Sequence, residues 1–171
     1  MTNSTYNVNT GYYGNPQSYT TQSFTISEPE NAVKITLEKG SATPVFKTPD
    51  SVGADLSSIS EVVLKPNTPT LVDTGVTLAL QQNTAGLVYI RSSLSLQGII
   101  LANGVGVIDP DYRGTVKVVL TNTTDKDIVV YAGSRVAQLI ITPINKPKFI
   151  EVTELPNTVR GSGGFGSTGT N

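Results

Sequence analysis

Between residues 31 and 145 short apolar runs alternate with polar positions and stop at turn signals. Val33, Ile35 and Leu37 alternate with Lys34 and Thr36, the period-two pattern of a half-buried strand, and Glu38-Lys39-Gly40 closes it. Val62-Val63-Leu64 predicts a short strand ended by Lys65-Pro66-Asn67. Leu71 to Leu80 reads as one strand carrying a bulge at Asp73-Thr74-Gly75. Gly86 to Ile90 runs into Arg91-Ser92-Ser93. Ile128 to Tyr131, the turn Ala132-Gly133-Ser134, and Val136 to Ile141 follow later. The most informative stretch is 103–114. There Val105-Gly106-Val107-Ile108 ends abruptly in Asp109-Pro110-Asp111, and a second run, Thr115 to Leu120, begins beyond Gly114. This predicts a β-hairpin with a carboxylate at the mouth of its turn. Gly104 and Gly106 would leave backbone edge uncovered for a flat ligand.

No stretch keeps helical spacing, and a short helix fits only at Leu94–Gly98. Many short strands with regular turns predict an all-β sandwich or barrel. The flanks differ from this body. Residues 1–27 hold no charged side chain and four of the seven tyrosines, so residues 1–30 read as a mobile, low-complexity polar tail. After Ile141 the prolines Pro143, Pro147 and Pro156 break the pattern. Residues 160–169 carry five of the sixteen glycines, together with Arg160 and Phe165. Ordering such a run costs more backbone entropy than its apolar area returns. Residues 146–171 are therefore expected to form a flexible C-terminal arm. Arg160 and the glycine N–H groups suit an anion, and Phe165 suits a flat ring.

Composition narrows the chemistry. The chain has 171 residues and a formal charge of −1, so one domain is expected, with no bulk attraction to nucleic acid or to an anionic membrane. Neither a membrane-length apolar run nor a secretory signal is visible, which points to a cytoplasmic or other intracellular soluble compartment. There is no Cys and no His. Thiol and imidazole catalysis are thereby excluded, leaving a carboxylate, Lys or Tyr as a base and a hard ion such as magnesium as a metal. The four arginines, Arg91, Arg113, Arg135 and Arg160, all sit beside turn-like or glycine-rich segments, where they could serve anion recognition or be ordinary surface charge.

Five segments together resemble the trimeric deoxyuridine triphosphatase (dUTPase) family. They are Gly53-Ala54-Asp55-Leu56, Arg91-Ser92-Ser93-Leu94, Asn103 to Gly114, Arg135-Val136-Ala137-Gln138-Leu139 and Arg160 to Gly169. Each is weak alone, but five in order and at family-like spacing are hard to obtain by chance. The resemblance covers about residues 32–169. It implies a distorted jelly-roll or β-barrel subunit of the β-clip type, a homotrimer whose active sites are shared between chains, and magnesium as cofactor. The implied reaction converts dUTP and water to dUMP and diphosphate, which lowers dUTP and supplies dUMP for dTMP synthesis.

The resemblance also implies roles. Asp109 would be the general base that activates water for attack on the α-phosphorus. Asn103 and the backbone of Gly106, Val107 and Ile108 would read the uracil edge. Tyr112 would pack on the deoxyribose and exclude a 2′-hydroxyl. Arg91, Ser92, Ser93 and Gln138 would hold the phosphates, and Asp55 would act on magnesium through bound water. From the arm, Arg160 would reach the γ-phosphate, Phe165 would stack on uracil, and Gly166 and Ser167 would add donors. Two positions depart from the commonest family pattern: Ser93 stands where many members have Gly, and Ile90 where many have Pro.

Three rivals remain to be weighed. The deoxycytidine triphosphate deaminase branch of the same fold needs a glutamate where this chain has Val119, and Val cannot move protons. A regulatory or binding protein on a dUTPase scaffold would have lost its base or arm, and both are present. A nonenzymatic β-sandwich adhesin leaves the glycine-rich terminus without a purpose.

Overall fold

The structure is a computed structural model and describes residues 3–10, 20–27, 29 and 31–164. Phe165, Gly166 and Ser167 lie outside the described residues. Within residues 1–30, where no strand periodicity is legible, the backbone forms β1 (Asn3–Thr10) and β2 (Thr20–Ser27). They pair antiparallel with Tyr6 opposite Phe24. The first holds Thr, Tyr and Val and the second Thr, Phe and Ile, all of which favour extended backbone, so propensity carries a signal that apolar alternation does not.

The body begins with β3 (Lys34–Leu37), which pairs with β7 (Val76–Ala79). One sheet has the order β10 (Gly106–Ile108), β8 (Thr84–Ile90), β13 (Arg135–Pro143), β4 (Ala54–Ser57). Another has the order β6 (Thr70–Asp73), β11 (Lys117–Asn122), β9 (Ile99–Leu101). A further pair joins β5 (Val62–Leu64) to β12 (Ile128–Val130). These small sheets enclose one core that includes Leu56, Leu64, Val72, Val76, Ile99, Leu120 and Val136. Alternation works as expected along β11, where Val118, Leu120 and Asn122 point inward. Asn122 is fully buried and fully bonded. Its amide donates to the carbonyl oxygens of Leu64 and Lys126, while its Oδ1 accepts from Thr124. A buried amide of this kind is tolerated because every polar atom keeps a partner.

Three local expectations change. The run Leu71–Leu80 is not one bulged strand. It breaks at Gly75 (φ +63°) into β6 and β7, and Asp73 Oδ1 accepts the Gly75 N–H at 2.8 Å to set the corner. The only α-helix among the described residues, α1, spans Ser92–Ser95 and starts two residues before the expected Leu94. Its first turn closes on the Arg91 carbonyl, which accepts from the N–H groups of Leu94 and Ser95. Most consequential, residues 103–120 are not a hairpin. β10 pairs with β8, whereas β11 pairs with β6 and β9 in a different sheet. The connection over 109–116 is too long and irregular to return a strand to its neighbour. Gly86 and Gly106 also draw β10 onto β8, because a Cβ at either would sit 3.1 Å from Ile108 or Val88 respectively.

Candidate active site

The candidate site residues fall into two groups, and the two lie apart. The first is built around the turn after β10. As the end strand of its sheet, β10 keeps one backbone edge free of any strand partner among the described residues. Asn103, Gly106, Val107, Ile108, Asp109 and Tyr112 line one cavity of about 210 Å³, with Val116 and Lys117 of the adjoining sheet behind them. The structure therefore brings together all the expected base-reading, sugar-packing and catalytic residues of this segment.

Local chemistry explains their placement. The Asp109 carbonyl accepts the Tyr112 N–H at 3.1 Å, closing a turn with Pro110 second. Arg113 Nη1 donates to the carbonyl oxygens of Pro110 and Tyr112, each at 2.7 Å. Of the four arginines, Arg113 thus holds backbone. Gly114 leaves room for the Tyr112 ring, which folds back across it and would have to move if a Cβ stood there. The Tyr112 hydroxyl donates to the Thr115 carbonyl at 3.1 Å. The Asp109 carboxylate is exposed and has no hydrogen bond among the described residues.

The second group gathers on Asp55, in β4. Its side chain is only 4 % exposed, yet Arg91 Nε donates to Oδ1 at 3.0 Å and Arg135 Nη1 to Oδ2 at 2.8 Å. Gln138 Nε2 approaches Oδ1 at 3.4 Å, and Gly53 makes room for that glutamine, since a Cβ would stand 3.0 Å from Gln138 Cβ. Register brings the group together, because Gln138 of β13 lies between Asp55 and Tyr89. Burial alone pushes the Asp55 carboxyl up. The Arg135 hydrogen bond, the Arg91 charge and the Gln138 amide outweigh it and hold the group below the usual carboxylate range. Two guanidinium charges against one carboxylate leave a net charge of +1. The two arginine side chains remain 22 % and 40 % exposed, so N–H groups not used on Asp55 can reach solvent, the arrangement that suits an anion. Ser92 is exposed beside them, and Ser93 Oγ lies 3.5 Å from Arg91 Nη1.

Arg135 gained no role from the sequence, although it opens the fourth segment; only its contact with Asp55 exposes one. Arg160 is exposed in the C-terminal segment and is not brought to this cluster. Val119, the position at which a deaminase needs its glutamate, is a half-buried residue of β11.

The ion cluster yields a stability prediction. A carboxyl whose folded pKa lies below its unfolded value stabilises the fold above the unfolded value and loses that contribution as pH falls through the folded one. Asp55→Asn should cost about 2 kcal/mol at neutral pH, discounted from a fully buried pair because both guanidiniums reach solvent. The gap to the native protein should close as pH drops below 3.8 and the native carboxyl protonates. Urea unfolding at several pH values reads this directly, and a gap constant down the acid limb would refute it.

Comparison with known proteins bears on the family and the fold. Residues 40–169 match the dUTPase family model. A deoxyuridine 5′-triphosphate nucleotidohydrolase of Helicobacter pylori is 42 % identical over 141 residues, covering 80 % of this chain and 97 % of that one. Its counterpart in Hydrogenobaculum is 40 % identical over 135 residues, covering 78 % and 94 %. Among solved structures, a variant dUTPase of Staphylococcus bacteriophage 80alpha with dUpNHpp superposes at a TM-score of 0.75 with 25 % identity, covering 82 % of this chain and 99 % of that one. With the family model matching residues 40–169, and relatives at 40 % identity or more matched over 94 % or more of their length, the chain belongs to the dUTPase family.

Proposed function

We infer that this chain hydrolyses dUTP to dUMP and diphosphate, in active sites shared between copies of itself. The observation that carries the shared site is the separation of the two groups. Ile108 is registered on Gly86, so Asp109 lies near Ala85, whereas Arg91 follows the far end of β8. Six residues of extended chain separate them by about 20 Å. That is too far for one chain's base and phosphate-holding group to act on one α-phosphate. A neighbouring copy that sets its 103–112 cavity against the Asp55 cluster completes the site.

A three-fold assembly gives each copy one such junction. Two apolar surfaces support it. Leu71 and Ile100 are about half exposed on the outer face of the β6-β11-β9 sheet. Phe149, Ile150, Leu155 and Val159 are almost bare along the extended C-terminal segment. Surfaces this apolar are typical of subunit contacts.

In the completed site, the free edge of β10 and the Asn103 amide hydrogen-bond the donors and acceptors of uracil. Cytosine would set its amino group against donors, and thymine would press its methyl on the strand edge. Tyr112, braced over Gly114, packs on the deoxyribose. Arg91, Ser92, Ser93 and Gln138 orient the phosphates, and Arg135 adds charge through the same cluster. Asp109 takes the proton as water attacks the α-phosphorus in line, and the bond to the bridging oxygen breaks to release diphosphate. Arg160, Phe165, Gly166 and Ser167 seal the site from the arm and expel water.

Among the described residues, no cluster of three or more acidic side chains forms a dedicated metal site. Asp55 already accepts three donors, leaving one lone-pair direction of a carboxylate's four. The residues therefore fit magnesium only as an ion carried on the triphosphate, held at Asp55 through water. When bound, the ion would neutralise part of the phosphate charge.

Diphosphate release measured across dUTP, dCTP, dTTP and UTP tests this reading. Turnover of dUTP should far exceed the others. Ammonia release from dCTP, or no hydrolysis of any triphosphate, would defeat it.

A further inference from the structure

Tyr112 is held by a chain of contacts that leaves the five motif segments. Its hydroxyl donates to the Thr115 carbonyl at 3.1 Å, and Thr115 Oγ1 donates to Asp73 Oδ2 at 3.1 Å. Asp73 ends β6, outside all five motif segments. The same Oδ2 accepts from Lys117 Nζ at 3.0 Å, and Lys117 is the register partner of Asp73. The two backbones do not need this carboxylate to dock. The Thr74 N–H and hydroxyl both donate to the Val116 carbonyl, at 3.1 and 2.7 Å, and the Val116 N–H donates to Val76 at 2.7 Å. Asp73 Oδ1 serves the Gly75 corner. Its second oxygen, facing Thr115, is left with the task of fixing the residue that tethers Tyr112.

We propose that Asp73 is a positioning residue for sugar discrimination: through Thr115 it keeps the Tyr112 ring in the space a 2′-hydroxyl would need. Thr115 and Lys117 line the same cavity as Tyr112 and Asp109, so a slackened brace opens space where the sugar lies. Lys117 offsets the Asp73 charge, so the brace adds no net negative charge opposite a triphosphate. The inference rests on the reading of Tyr112 as the sugar wall.

The test compares kcat/KM for dUTP and for UTP in the full-length protein. Because the preference is a ratio within one preparation, partial unfolding of a variant cancels. Asp73→Ala, Thr115→Val and Tyr112→Phe should each lower the dUTP preference roughly fivefold to tenfold, the scale of one lost hydrogen bond, chiefly by raising kcat/KM for UTP. Thr115→Ser, which keeps the hydroxyl, should restore it. The double variant Tyr112→Phe with Asp73→Ala should lose no more than the larger single effect, since both act on one path. An unchanged preference in Asp73→Ala beside a loss in Tyr112→Phe would overturn the role of Asp73, as would additive losses or failure of Thr115→Ser to restore. An unchanged preference in Tyr112→Ala would remove the sugar-wall reading itself, and this inference with it.

Discussion

Asp109→Asn is expected to lower kcat for dUTP by about 10²–10⁴-fold while dUTP still binds. The amide keeps the shape of the turn but cannot accept the proton of the attacking water. Isothermal titration with a nonhydrolysable dUTP analogue should give near-native affinity, because Asn103, Tyr112 and the free edge of β10 are untouched. Retained turnover would mean that the base lies elsewhere. The same substitution tests whether sites are shared. Mixed with Arg91→Ala chains, themselves impaired in phosphate binding, Asp109→Asn chains should regain activity. In a mixed trimer, roughly one site in three would draw an intact Asp109 from one chain and an intact Arg91 from its neighbour. Recovery is impossible if each chain carries its own complete site, so no recovery after subunit exchange would refute the shared site.

Deleting residues 160–171 is expected to cost on the order of 10²-fold in kcat/KM through lost alignment of the triphosphate and entry of water. The oligomer should survive, because the apolar run from Phe149 to Val159 and the outer face around Leu71 and Ile100 remain. Sizing chromatography beside the kinetic assay separates the outcomes. Dissociation on truncation would assign the arm a structural role, and unimpaired kinetics would remove it from the site.

Much of this was readable from residue order. Period-two alternation located β3, an apolar run after a turn located β11, and the turn residues located most strand ends. The five segments identified the family, and the absence of His and Cys turned attention to a carboxylate base. These features are legible because they are local. A strand's inward face, a turn's proline and a motif's spacing are written in consecutive residues.

What the sequence could not decide is which strands meet. The run 103–120 reads as a hairpin because both arms are extended and a turn lies between them. In the fold its arms join different sheets, since close approach at Gly86 and Gly106 fixes β10 on β8. Asp55 was placed near magnesium by its motif. Only register shows it buried under Arg91 and Arg135, residues 36 and 80 positions away, as the counter-charge of both guanidiniums. Asp73 carries no local signal, since its partners Thr115 and Lys117 reach it across a sheet. The sequence by itself determined the all-β class and the family, and it named the candidate residues for the chemistry. Tertiary structure alone decided that the Asp109 turn crosses between sheets and that Asp109 and the Asp55 ion cluster lie about 20 Å apart in one chain. The physical reason is that strand pairing and ion pairing depend on distance in space, which residue spacing along the chain does not encode.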